Sequence, residues 1–278
     1  MNKTVLILID GLRADAIDQA ATPVLDDLME TGMVCLSGHT VAPSLTLPAH
    51  FSIFTSLPPY SHGVMTNTAL PDMSGAAQSL FAHIKTLGGT TAAFYSWDHL
   101  RNLSFPGQVD YTLIQRIQSS KDQELLATAA ARHLIISRPD FTFLYLEWAD
   151  IVGHAHGWMS DAYLSAVTRC DQAIQKVVEA VHTLSKKGIG VHIVVASDHG
   201  GREKHHLSNH ADILTVPFIA HGDRIRPGGY LEGSMSVLDI APTISRIMDI
   251  GSHPGWQGTV LKDIFRVGLE RLPMFHLG

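Results

Sequence analysis

Three runs shape everything else in this chain: Thr4 to Ile9, Phe141 to Trp148 and Val191 to Ala196. They are apolar and β-branched almost throughout instead of alternating, the pattern of strands covered on both faces. Parallel pairing of such strands needs long crossover connections, and helical patterns fill the gaps at Thr22 to Met33, Ala76 to Leu87, Gln123 to Ile136 and Asp161 to Lys187. A shorter strand is predicted at Thr91 to Tyr95. Ser96 to Tyr111 lacks periodicity and reads as an irregular connection. Ser236 to Met248 reads as a closing helix, with Pro242 in its first half, where proline is tolerated. Strand–helix alternation with no linker and no internal repeat predicts one α/β domain over residues 1–278. Its expected form is a doubly wound, mostly parallel sheet with helices on both faces.

Composition narrows the function. Of 278 residues, 45% are hydrophobic and 17% charged, enough for a large core and contrary to disorder. A net charge of -6 argues against a nucleic-acid-binding surface. Cys35 and Cys170 lack metal-type spacing and read as buried free thiols. Val5 to Ile9 is too short for a signal peptide, and no run reaches membrane-spanning length, so a soluble, cytoplasmic protein is expected. The unusual feature is 17 histidines, whose positions matter more than their number.

The strand runs end on polar residues that carry chemistry. The first stops at Asp10-Gly11, the second leads to Asp150-Ile-Val-Gly-His154, and the third to Ser197-Asp198-His199-Gly200-Gly201. Open α/β sheets bind ligands beyond such carboxyl ends, although each motif alone also fits a terminating turn or a polar loop. Adjacent strand residues point to opposite faces, so Asp198 and His199 can share a ligand only if the chain is turning there. Gly200 and Gly201 are expected to permit that turn. Carboxylate and imidazole together suit zinc or manganese better than magnesium or calcium. His156 reads as a surface or outer residue, and His205, His206 and His210 follow in a loop.

The stretch Ala42 to Gly63 has a different character. Pro43 and Pro48 bracket Thr46, and Phe51 to Leu57 reads as a buried helix. Ser44 and Thr46 are N-cap candidates, but a hydroxyl ahead of a helix also meets unpaired N–H groups and the positive end of the helix dipole. That position favours an anion or an attacking alkoxide. Neither a Gly-x-Gly-x-x-Gly after the first strand nor a Gly-Lys-Ser/Thr is present, which argues against dinucleotide and P-loop chemistry.

Taken in order, Ile9-Asp-Gly-Leu-Arg13, Thr46-Leu-Pro-Ala-His50 through Ser61-His-Gly63, Asp150 to His154, Ser197 to Gly200 and Asp239-Ile-Ala-Pro-Thr243 resemble the alkaline phosphatase superfamily. The likeness is greatest to its nucleotide pyrophosphatase/phosphodiesterase branch. It implies two divalent metal ions, zinc first and manganese second. One would be held by Asp10, Thr46, Asp198 and His199, the other by Asp150, His154 and a third histidine. Short bacterial relatives point to His206 for that third ligand, ahead of His210 and His205. The resemblance further implies a phosphothreonine intermediate at Thr46 and an Asn67 amide holding a phosphoryl oxygen.

The expected activity is hydrolysis of a small-molecule phosphoester, a diester before a monoester because Asn67 is neutral. Leu47 replaces the aromatic residue that many nucleotide-cleaving relatives carry. A sulfatase of the same superfamily is disfavoured because Thr46-Leu-Pro-Ala-His50 lacks the Cys/Ser and the arginine of Cys/Ser-x-Pro-x-Arg. A phosphomonoesterase, a phosphonate hydrolase, a phosphomutase and a non-catalytic metal-binding module are the alternatives.

Overall fold

The computed structural model describes residues 1–68 and 78–268. In chain order the elements are β1 (Lys3–Ile9), α1 (Ala14–Ile17), α2 (Pro23–Thr31), β2 (Met33–His39), α3 (Thr46–Thr55), α4 (Pro59–His62), α5 (Leu80–Thr86) and β3 (Thr91–Tyr95). They continue with β4 (Tyr111–Ile114), α6 (Ser120–Ser137), β5 (Phe141–Leu146), α7 (Trp148–His156), α8 (Asp161–Ser185), β6 (Val191–Ala196), α9 (Ala211–Leu214), β7 (Thr215–His221), β8 (Gly229–Tyr230) and α10 (Ile240–Ile247).

The run Thr4 to Ile9 becomes the central strand, as its two-sided apolarity requires. The sheet order is β4-β3-β5-β1-β6-β7-β2-β8. Pairing is parallel from β4 through β6, and β7 runs antiparallel to both β6 and β2. Alternate β1 residues feed two separate cores. Val5, Ile7 and Ile9 pack with α6 and α8, while Leu6 and Leu8 pack with α3, α5 and α10. The doubly wound expectation therefore holds.

Register then fixes the site. Ile9 lies opposite Leu146 and Leu8 opposite Ala196, so the three central strands end almost level. On the other face, Phe54 of α3 packs against Phe143 of β5 at 5.0 Å between ring centroids and against Phe81 of α5 at 5.0 Å. Such pairs add about 0.5–1.5 kcal/mol beyond burial. They hold α3 against the sheet, with its first residue at the strand ends.

Several boundaries differ from the sequence expectation. The helix expected over Thr22 to Met33 is α2 and stops at Thr31, because Met33 begins β2, a strand concealed by its Ser-Gly-His ending. The helix expected over Ala76 to Leu87 begins at Leu80 behind a Ser79 cap, and Ala76 and Ala77 lie outside the described residues. The supposedly irregular Ser96 to Tyr111 contains a 3-10 turn at Asp98–Leu103 and reaches β4 at its last residue. Trp148 belongs to a helix, so Asp150 and His154 sit in α7 and not in a loop. The closing helix splits into a 3-10 turn at Val237–Asp239 and α10.

Candidate metal centre and nucleophile

Asp10 is the first residue past β1 and is buried. Its Oδ2 accepts a short hydrogen bond from the Tyr145 hydroxyl, which leaves Oδ1 without a partner. Asp198 follows β6 by two residues. Its Oδ1 accepts from the backbone N–H groups of Gly11 (3.3 Å) and His199 (3.0 Å), and its Oδ2 has no hydrogen-bond partner. His199 donates Nδ1–H to Gly200 O at 2.9 Å, so Nε2 presents its lone pair to the cavity. In α7 the four-residue spacing puts Asp150 and His154 on one helix face. There Asp150 Oδ1 is 3.5 Å from His154 Nε2, and His154 Nδ1 is held by Lys204 O at 2.9 Å. His206 enters from the loop, with Nδ1 on Ser44 O at 2.7 Å and Nε2 3.9 Å from Asp150 Oδ1.

The distances between facing atoms are informative. Asp10 Oδ1 is 3.3 Å and Asp198 Oδ2 3.4 Å from His199 Nε2. These lie at or beyond the long limit for hydrogen bonds. A tetrahedral ion with bonds of about 2.0–2.1 Å would set neighbouring ligand atoms about 3.3–3.4 Å apart. Two groups of ligand atoms each lie within 4.8 Å of one another: Asp10, Asp198 and His199, and Asp150, His199 and His206. His199 is common to both because it stacks on His206.

Electrostatics point the same way. Burial, then repulsion from Asp10, holds the Asp150 and Asp198 carboxyls well above the usual range. Burial pushes His199 down and His206 to about 3, so both imidazoles are neutral at neutral pH and free to ligate. Glu147, between β5 and α7, is raised to about 7 by the same loss of water. Buried carboxylates this close, each with one oxygen left without a donor, make a candidate cation site.

Thr46 is the first residue of α3 and is buried. Neither hydroxyl acts as the expected N-cap: Leu45 holds that position, and the Ser44 hydroxyl donates to His206 O instead. Asn67 lies beside the start of α3, its Oδ1 accepting from the Leu47 N–H at 2.9 Å. His50, one helical turn after Thr46, donates Nδ1–H to Thr46 O at 2.8 Å and stands 3.5 Å from Asp198 Oδ2.

Every predicted site residue is described, and the three loop histidines separate clearly. His206 is buried in the cluster, His205 is exposed, and His210 turns to Arg202 and Asp212. His156 is exposed at the end of α7. Gly200 and Gly201 have a different role from the one expected, since neither has a positive φ. A Cβ on Gly200 would strike Asp212 O at 2.1 Å, and one on Gly201 would strike the Trp158 ring at 2.0 Å. The glycine that needs the left-handed region is Gly11, at φ 66° against Asp150. The turn at Asp198 is held instead by the Ser197 hydroxyl, which accepts from Leu12 N and donates to His199 O. Tyr145, His50 and Ser44 were missed as site residues. Tyr145 is hidden among the apolar residues of β5, whereas the i, i+4 spacing from Thr46 is a readable signal for His50.

This architecture is the alkaline-phosphatase-like α/β fold. The structure of murine ectonucleotide pyrophosphatase / phosphodiesterase 5 superposes with a TM-score of 0.75 at 18% identity, covering 95% of this chain and 100% of that one. A 2-O GAG sulfatase superposes equally well, with TM-score 0.75 at 13% identity over 95% of this chain and 74% of that one, so the fold alone does not separate these classes. The sequence does: the chain belongs to the type I phosphodiesterase / nucleotide pyrophosphatase family, whose pattern it matches over residues 4–80 and 86–224. Among curated relatives, ectonucleotide pyrophosphatase/phosphodiesterase family member 1 of Rattus norvegicus is 27% identical over 215 residues, 71% of this chain and 24% of that protein. Venom phosphodiesterase 2 of Crotalus adamanteus is 26% identical over 223 residues, 72% of this chain and 27% of that protein. The match thus spans about a quarter of these relatives' length.

Proposed function

We propose that this chain is a two-metal phosphodiester hydrolase with Thr46 as nucleophile. One observation carries the reading: Asp10 Oδ1, Asp150 Oδ1, Asp198 Oδ2 and His199 Nε2 are all buried without hydrogen-bond partners, and the first three are carboxylate oxygens. Asp10, Thr46, Asp198 and His199 would hold one divalent cation, and Asp150, His154 and His206 the other. Zinc is the first candidate by ligand type, and manganese the second. Bound there, the two ions would supply Lewis-acid activation of oxygen nucleophiles and offset negative charge on the phosphoryl group.

The chain's own residues do the rest. Thr46 Oγ attacks phosphorus, expelling the alcohol and forming phosphothreonine, which water then hydrolyses. The Leu47 N–H is taken up by Asn67 Oδ1 at 2.9 Å, so Asn67 Nδ2 would be the donor to a phosphoryl oxygen of a substrate on Thr46. His50 ties the Thr46 carbonyl to the Asp198 side of the site. A structure of inactive murine ectonucleotide pyrophosphatase / phosphodiesterase 5, with threonine replaced by alanine, was determined in complex with AMP. That inactive variant supports a threonine nucleophile, and its bound AMP makes nucleotides a first substrate class to try.

Charge supports a diester. Arg13 is bound by Asp15 at 2.7 Å, Asp212 at 3.3 Å and Gly201 O at 3.1 Å. Arg202 contacts His210 and Asp212, and Lys204 donates to Ala155 O. These three cations are thus already engaged, which leaves Asn67, a neutral donor, for a singly charged substrate.

Among the described residues no helix is long and apolar enough to cross a membrane. Both cysteines are buried and unpaired, which supports a reducing compartment such as the cytoplasm. The deciding experiment is metal analysis of the purified protein together with turnover of monoesters, diesters and phosphonates. Bound metal without turnover of any of them would reduce the chain to a metal-binding module.

A further inference from the structure

Trp158 lies two residues beyond α7, outside every motif used above, and its indole is buried. It touches all four segments that carry the carboxylates and imidazoles. Nε1 donates to Gly11 O at 2.8 Å, directly after Asp10. The ring stands edge-on to His154 (centroids 5.0 Å apart, planes at 84°) and to His206 (6.1 Å, 74°). The backbone N–H donates to Glu203 O at 2.7 Å, three residues before His206. A Cβ on Gly153 would come within 2.7 Å of the indole, and one on Gly201 within 2.0 Å. The glycine between Asp150 and His154 and the second glycine after His199 therefore leave room for one aromatic plate.

We propose that Trp158 is a positioning residue that sets His154 and His206 as a pair for the second metal ion; the inference rests on the two-metal reading above. His154 has its side chain nearly half exposed, and His206 comes from a loop. Each is fixed by a carbonyl on Nδ1, which sets where the ring points but leaves it free to tilt about that bond. The indole edge removes this freedom for both rings at once, and its Nε1 bond references them to the Asp10 turn. The first site depends less on the plate, because Gly11 O also accepts from the Tyr163 hydroxyl at 2.8 Å, and Asp198 and His199 are held by Gly11 N and Gly200 O. Pre-set ligands bind metal more tightly than mobile ones, and outer partners of this kind typically contribute 10–100-fold in affinity.

The test is zinc binding by metal-stripped protein, measured by competition with a chromophoric chelator, with thermal unfolding followed in parallel. Wild type should bind two zinc ions. Trp158→Ala should retain the first and bind the second at least about tenfold more weakly, while Trp158→Phe, which keeps the flat ring, should recover most of the loss. Gly153→Ala, whose methyl displaces the indole, should weaken the same single ion and decides the matter if Trp158→Ala does not fold. Wild-type affinity for both ions in Trp158→Ala or in Gly153→Ala overturns the inference, as does equal weakening of both ions. Fewer than two zinc ions on the wild type would instead overturn the two-metal reading and the inference with it.

Discussion

The imidazoles of His199 and His206 stack face to face, with centroids 3.8 Å apart and planes within 14°. Two charged rings would not lie so close in a buried site, and burial depresses both pKa values. Each ring gives its Nδ1–H to a backbone carbonyl, Gly200 O for one and Ser44 O for the other. Both Nε2 atoms are thereby left as acceptors. His199 faces Asp10 and Asp198, and His206 faces Asp150, so the stack lies where the two candidate metal positions meet.

Thr46→Ala should lower turnover of any accepted phosphoester by at least about a thousandfold, since loss of a nucleophile commonly costs that much or more. Far-UV dichroism and most zinc binding should persist, because Thr46 does not cap α3 and the carboxylates remain. Substantial activity in a preparation free of contaminating phosphatase would end the covalent mechanism.

His206→Ala should weaken one zinc ion by more than about tenfold, whereas His205→Ala and His210→Ala should leave both ions within about threefold of wild type. The measurement is zinc stoichiometry after dialysis against a metal buffer. A larger loss in His210→Ala would move the third ligand to His210.

Bis-p-nitrophenyl phosphate should be turned over with a kcat/KM about tenfold above that for p-nitrophenyl phosphate. A charged donor typically contributes roughly 1.5–3 kcal/mol against about 1 for a neutral one, and about 1.4 kcal/mol is one decade. With Arg13, Arg202 and Lys204 engaged elsewhere, the monoester dianion lacks a cationic donor. Preference for the monoester would make the protein a phosphatase.

Acid should weaken the segment that carries Asn67. His62 Nδ1 accepts the Val64 N–H at 3.1 Å and Nε2 contacts the Ser52 hydroxyl at 3.0 Å, so the ring must stay neutral. Burial lowers its pKa from 6.5 to about 4. Between those values the unfolded chain binds a proton that the folded chain refuses, so this contribution is present above pH 6.5 and is lost as pH falls to 4. Denaturant unfolding of metal-stripped protein across that window should show a shallower pH dependence in His62→Asn than in wild type. Identical slopes would remove His62 from the account.

Sequence alone determined the layers and the chemistry. Uninterrupted apolar strands cannot avoid being covered on both faces, and an aspartate after such a strand lies at a sheet's binding edge whatever the loops do. Asp10, Asp150, Asp198 and His199 were legible for that reason, and Thr46 because prolines frame it ahead of a helix. Tertiary structure decided what depends on distance between remote segments. It buried His206, and neither of its two neighbours, against the Ser44 carbonyl, placed Asp150 and His154 on a helix, and gave Gly153 and Gly201 their reason in the Trp158 ring. Tyr145 orients Asp10 through a strand pairing that no local pattern encodes. Periodicity reports which face a residue occupies; the partner it meets there follows only from the register and packing of segments more than a hundred residues apart.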